Sequence, residues 1–160
     1  MTTPQSGAYS FLDVQASITG PGGSFDIASS GVADEGIRID MTGDKNTMTV
    51  GANGDGMHSL RASKAGRITV TLLKTGQGNA LMNQLYSYQS VSSANWGQNI
   101  ITVTNPVSGD QTTAQDGAFV RQSPLGYTSE GGMCVWTFDF VDVDEVLGNN
   151  FQNTGISNAA

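Results

Sequence analysis

The stretch MTVGANGDGMHSLRASKAGRITVTLLKTGQGNALMNQLYSYQS, residues 48–90, decides how the chain folds. Arg67-Ile68-Thr69-Val70-Thr71-Leu72 alternates polar and apolar residues without a fault, the period of a β-strand with one buried face. Upstream, Asn53-Gly54-Asp55-Gly56 is a tight-turn signature, because such turns need positive φ and Gly, Asn and Asp tolerate it. Downstream, Asn79 is placed to cap a helix over 79–90 whose Leu81, Leu85 and Tyr88 share one stripe. The order is strand, turn, two strands and one short helix, and nothing in it carries catalytic chemistry.

Outward from this stretch, strands are expected over Tyr9–Thr19, with Leu12, Val14, Ala16 and Ile18 on one face, over Phe25–Ile27, and over Gly36–Met41 with Ile37, Ile39 and Met41 inward. Thr42–Leu60 reads as either a long hairpin reaching beyond the domain body or a flexible surface loop. After the helix come strands over Asn99–Thr104 and Thr112–Gln122, the latter interrupted at Asp116-Gly117. Met133–Val143 is the most apolar strand. Its Trp136, Phe138 and Phe140 are assigned to the core, and Val135, Thr137, Asp139 and Val141 to the opposite, semi-polar face. The segmentation is an arm over 1–7, one β domain over 8–146 and an aperiodic tail over 147–160, with no internal repeat.

Composition narrows the function. Charged residues make up 13% of the 160-residue chain, about half the usual ~25%. A surface this poor in charge is accounted for if much of it meets other subunits, or by a weakly charged β domain with neutral polar loops. The net charge of −7 argues against gripping nucleic acid through phosphates, which takes a concentrated basic surface. Six of the seven basic residues precede residue 75, whereas Asp139, Asp142, Asp144 and Glu145 cluster late. That asymmetry would let one end of a subunit attract the other end of the next, though scattered solvated charge would look the same.

Chemistry is scarce. His58 is the only histidine, no Gly-x-Ser-x-Gly elbow is present, and the acidic cluster lacks the spacing of a calcium loop. Cys134 stands alone among apolar residues and reads as a small buried hydrophobe. No run approaches the ~18 apolar residues of a membrane span, and Met1–Ser6 lacks the charge and apolar run of a secretory signal. The expectation is a non-enzymatic protein without metal or cofactor, made in a cytoplasm.

Gly54-Asp55-Gly56, the run Gly66–Leu73, Gly78-Asn79 ahead of Leu81 and Leu85, the opening Tyr9–Val14 and Gly36-Ile37-Arg38-Ile39 together resemble the tail tube proteins of bacteriophages, over roughly residues 8–145. The resemblance implies an antiparallel β-barrel or sandwich with one short helix and a long extended hairpin. Copies would form hexameric rings stacked into the hollow tail tube of the virion, assembled in the host cytoplasm. It implies a contractile-tailed phage, with sheath, tape-measure, baseplate and tail-terminator proteins as partners and DNA passing through without specific binding. Asp44, Lys45, Asn46, Met57, His58 and Arg61, on the hairpin, would contact neighbouring rings or subunits; Asp13 and Asp139 would face the lumen. The same-class alternative is the tube of a bacterial contractile injection or secretion system. A different-class alternative is a carbohydrate-binding module using Trp96 and Tyr127.

Overall fold

The computed structural model describes residues 7–148, so most of the expected N-terminal arm and C-terminal tail lies outside the described residues. Nine strands and one helix follow in order: β1 (Gln15–Gly20), β2 (Gly23–Asp26), β3 (Val32–Met41), β4 (Asn46–Val50), β5 (Gly56–Leu60), β6 (Gly66–Leu73), α1 (Gly78–Gln89), β7 (Asn99–Asn105), β8 (Asp110–Arg121) and β9 (Met133–Val146). Seven strands form one antiparallel sheet in the order β2-β1-β7-β8-β9-β6-β3, and β4 and β5 pair only with each other. The large sheet curls into a half-barrel whose two margins, β2 and β3, do not meet.

The perfect alternation in β6 becomes a strand with Ile68, Val70 and Leu72 inaccessible to solvent. Beside it, β9 buries Trp136, Phe138 and Phe140 in matching register: Ile68 opposite Phe138, Val70 opposite Trp136. An aromatic chain runs through this core from α1 to the sheet. Tyr86 meets Phe119 edge-on at 5.5 Å between centroids, and Phe119 lies 5.9 Å from Trp136 and 4.5 Å from Phe138. Such contacts add directional preference to the burial of large apolar area.

Several expectations need correction. Phe11–Asp13 is a turn of 3-10 helix, capped by Ser10 Oγ accepting from the Leu12 amide, so β1 starts only at Gln15. Ala16 and Ile18 are buried as expected, but Leu12 is 94% exposed. β3 begins four residues earlier than expected, because Gly36 takes φ +65° and its irregularity shifts the register between Val32 and Ile37 instead of ending the strand. Met41, at its end, is exposed. Asp116-Gly117 does not interrupt β8. Asp116 takes φ +55°, the register against β7 shifts beside it, and the ladder with β9 continues past it. Gly117 is there because Phe140 lies across it: a Cβ would sit 2.1 Å from Phe140 Cε1.

The helix also differs in phase. Gly78, Met82, Leu85 and Gln89 are its buried residues; Leu81 is half-buried and Tyr88 is 54% exposed. The expected stripe was therefore turned away from the packed one at Tyr88. A polar residue decides the phase: Gln89 goes inside because Asn99 waits for it, and apolar periodicity has no way to register that. Asn79 does not cap α1, which starts after Gln77 without a side-chain cap. Its amide nitrogen instead donates to the Leu73 carbonyl at 2.7 Å, and its oxygen accepts from Trp136 Nε1 at 3.1 Å.

Candidate assembly interface

Two features of this fold present extended surface to solvent in a single copy: the β4–β5 hairpin and the outward face of the large sheet. The hairpin is built locally. Gly54 takes φ +92°, Asn53 Nδ2 donates to Asp55 Oδ2 at 2.8 Å, the Asp55 amide donates back to Asn53 Oδ1 at 3.2 Å, and the Gly51 amide donates to the Asp55 carbonyl at 2.7 Å. This is the Asx chemistry the turn signature calls for. At its base Arg61 N–H donates to the Lys45 carbonyl and Thr42 N–H to the Ala65 carbonyl, both at 2.9 Å.

Every residue from Met41 to Lys64 is exposed, so the hairpin alternative of the sequence reading holds and the ribbon has solvent on both faces. Residues directly opposed across an antiparallel pair share a face. The pairs Asn46–Leu60, Met48–His58 and Val50–Gly56 form one face, and Thr47–Ser59 and Thr49–Met57 the other. Asp44, Lys45, Asn46, Met57, His58 and Arg61 are thus gathered on or beside a single ribbon, with Asn46 Nδ2 3.1 Å from His58 Nδ1. The sequence reading missed Met48, Val50 and Leu60, which add three exposed apolar side chains to the face that also carries Asn46 and His58. Their signal was the alternation Met48-Thr49-Val50, in a segment otherwise dominated by Gly, Asn and Asp.

The solvent face of the sheet mixes hydroxyl-bearing side chains with charges of both signs. One row runs Ser17, Thr102, Thr113, Asp144 and another Arg38, Thr69, Thr137, Arg121. A third row sets Arg67 between Asp40 and Asp139. Arg67 Nε donates to Asp139 Oδ1 at 2.8 Å, and Nη2 to Oδ2 at 3.4 Å; Arg38 Nε donates to Asp40 Oδ2 at 2.9 Å. Both guanidinium pKa values rise, first through these hydrogen bonds and then through charge attraction. Asp139 lies on the exposed face with its charge offset by Arg67. Asp13 lies off the sheet, half-buried in the turn before β1. Of the two residues the carbohydrate-binding alternative uses, Trp96 packs edge-on against Tyr86 at 6.2 Å, and Tyr127 lies under the Lys74 ammonium at 4.0 Å.

Residues 6–148 match the family model of the bacteriophage PhiTE tail tube protein. The chain belongs to the bacteriophage PhiTE tail tube protein family. It is a structural tail tube protein, a component of a phage tail or related injection particle. No curated protein sequence matches it. Among solved structures it is similar to a chain of the anti-feeding prophage baseplate, at 13% identity and a TM-score of 0.57, over 91% of this chain and 97% of that one. It is also similar to a chain of the extended sheath-tube complex of the PVC extracellular contractile injection system, at 12% identity and a TM-score of 0.53, over 83% and 88%. At these identities the likeness concerns the fold alone. No helix among the described residues is long and apolar enough to cross a membrane.

Proposed function

We propose that copies of this tail tube protein close into hexameric rings, and that the rings stack into the conduit through which the genome leaves the particle. The observation that carries this is the β4–β5 hairpin, which holds Met48, Val50, Met57 and Leu60 in water as long as the chain is alone. Contiguous exposed apolar groups on an ordered element mark a surface meant for a partner. The two unpaired sheet margins point the same way, because neighbouring copies would cover them.

The hydroxyl-rich sheet face is the wall we assign to the bore, with Asp139 on it; Asp13, away from the strands, has the weaker claim. A hexameric ring of chains at −7 each holds about −42 formal charges. DNA beside such a wall finds hydroxyls and guanidinium groups paired at Arg38 and Arg67; Arg121, in no ion pair among the described residues, is the exception, so phosphates find little to hold them and the DNA slides. The role is mechanical, without catalysis. Sheath, tape-measure, baseplate and tail-terminator proteins are the partners, and assembly takes place in the host cytoplasm. The likeness to injection-system chains supports a second reading, the tube of a bacterial contractile injection or secretion system. Capsid and terminase genes beside this one favour the phage tail, and their absence favours the injection machine.

Size-exclusion chromatography and negative-stain microscopy across a concentration series test the assembly. Rings or tubes of uniform diameter are expected. A folded chain that stays at 16.7 kDa at every concentration would overturn the proposal.

A further inference from the structure

The hollow of the half-barrel is only partly filled. Toward its open side, between β3 and the paired ends of β7, β8 and β9, lies a cleft of about 440 Å³. Its walls are apolar: Phe11, Val14, Val32, Ile37, Ile39 and Val103. Its rim is acidic, with Asp34, Glu35, Asp110 and Glu145 and no Lys or Arg among the lining residues.

The hairpin carries the complement of both properties. One face presents Met48, Val50 and Leu60. The segment 42–65 holds Lys45, Arg61 and Lys64 against Asp44 and Asp55, a net positive piece in a chain of net −7. Lys64 is held by Asp144 at 3.3 Å, but Lys45 and Arg61 make no ion pair among the described residues. A ribbon with three apolar side chains on one face and two cations outside any ion pair at its base matches an apolar cleft with a carboxylate rim.

We propose that the hairpin of one copy seats its Met48–Val50–Leu60 face in the cleft of a second copy, with Lys45 and Arg61 against the Asp34, Glu35, Asp110 and Glu145 rim. This rests on the tube reading and names the surface that receives the hairpin. Ribbon and cleft are different surfaces, so the contact is heterologous and propagates into a ring or a filament rather than stopping at a symmetric dimer. The apolar contact supplies affinity; the charges set the register and reject wrong seats.

A charge swap tests it. Lys45→Glu with Arg61→Glu reverses the hairpin, and Asp34→Lys with Glu35→Lys reverses the Asp34–Glu35 side of the rim; all four side chains are exposed in the single copy. Each reversed chain should keep the wild-type circular dichroism and thermal midpoint. Each should need on the order of tenfold more protein to sediment as assemblies, because like charges then face each other. The chain carrying all four substitutions should recover assembly. If the wild type assembles and either reversal leaves it unaffected, or the fourfold variant fails to recover, the cleft is not the hairpin's seat and the tube reading survives. A wild type that never assembles sinks both.

Discussion

Gln89 and Asn99 exchange two hydrogen bonds in the dry junction between the end of α1 and the start of β7, at 2.7 and 2.8 Å, and both side chains are fully buried. Gln89 Nε2 also donates to the Pro21 carbonyl at 3.0 Å, so three segments distant in sequence meet at one amide. Gly20 makes room for the pair: a Cβ there would lie 2.1 Å from Asn99 Oδ1. Asn99→Ala should cost about 1–3 kcal/mol, because the buried Gln89 amide keeps its desolvation penalty and loses its partner. Urea denaturation at concentrations below assembly measures this. A Gln89→Leu, Asn99→Leu double variant should lose less than the sum of its single changes.

Gly117→Ala should destabilise the chain by about 1–3 kcal/mol, since its methyl would enter the Phe140 ring and the packed wall has little room to yield. Combining it with Phe140→Leu should recover part of that loss. Additive losses, read as denaturation midpoints, would show that the damage comes from the backbone and not from the ring.

Replacing residues 44–62 with a short Gly-Ser link should leave the thermal midpoint within error of the wild type. No residue of this segment contributes to the core, and the Thr42–Ala65 closure lies outside the cut. The same deletion should abolish tubes. Assembly by the deleted chain, seen in negative stain, would remove the hairpin from the mechanism.

The Arg67–Asp139 pair is exposed on both sides, and Arg67→Gln should leave the midpoint of unfolding unmoved. Its pH behaviour has a definite sign. The folded guanidinium pKa is raised, so the pair's contribution is complete below the ordinary guanidinium range and lost only as pH climbs through the raised value. Arg67 therefore adds no slope to stability around neutral pH. A midpoint that falls steadily between pH 6 and 9 in the wild type but not in Arg67→Gln would contradict this.

Asp139→Lys tests the bore. The substitution places a second cation beside Arg67, giving passing phosphates a place to bind. Particles that assemble normally should release DNA more slowly in a dye-accessibility assay. Unchanged release would move Asp139 off the inner wall.

Strands whose burial follows a strict two-residue period were legible in the sequence. β6 and the Trp136–Phe138–Phe140 face of β9 needed only alternation, and the hairpin turn needed only Asn53-Gly54-Asp55-Gly56. The misreadings share one cause: buried polar or backbone terms that apolar periodicity does not contain. Leu12 and Val14 continue the alternation of Ala16 and Ile18, but Ser10 caps a turn and takes them out of the sheet. Tyr88 lost its place on the helix to Gln89, a residue whose burial depends on a partner ten positions away. Of the candidate interface, the charged residues were visible because they stand out in a weakly charged chain. The apolar face of the ribbon was not, because Met48, Val50 and Leu60 reveal their shared side only once the β4–β5 register is known.

A ribbon that touches nothing in its own core answers to two different selections. Substitutions along it are invisible to the folding equilibrium of the lone subunit, so a lineage can retune how firmly its subunits hold one another, or which subunits they accept, without endangering the body that carries the ribbon.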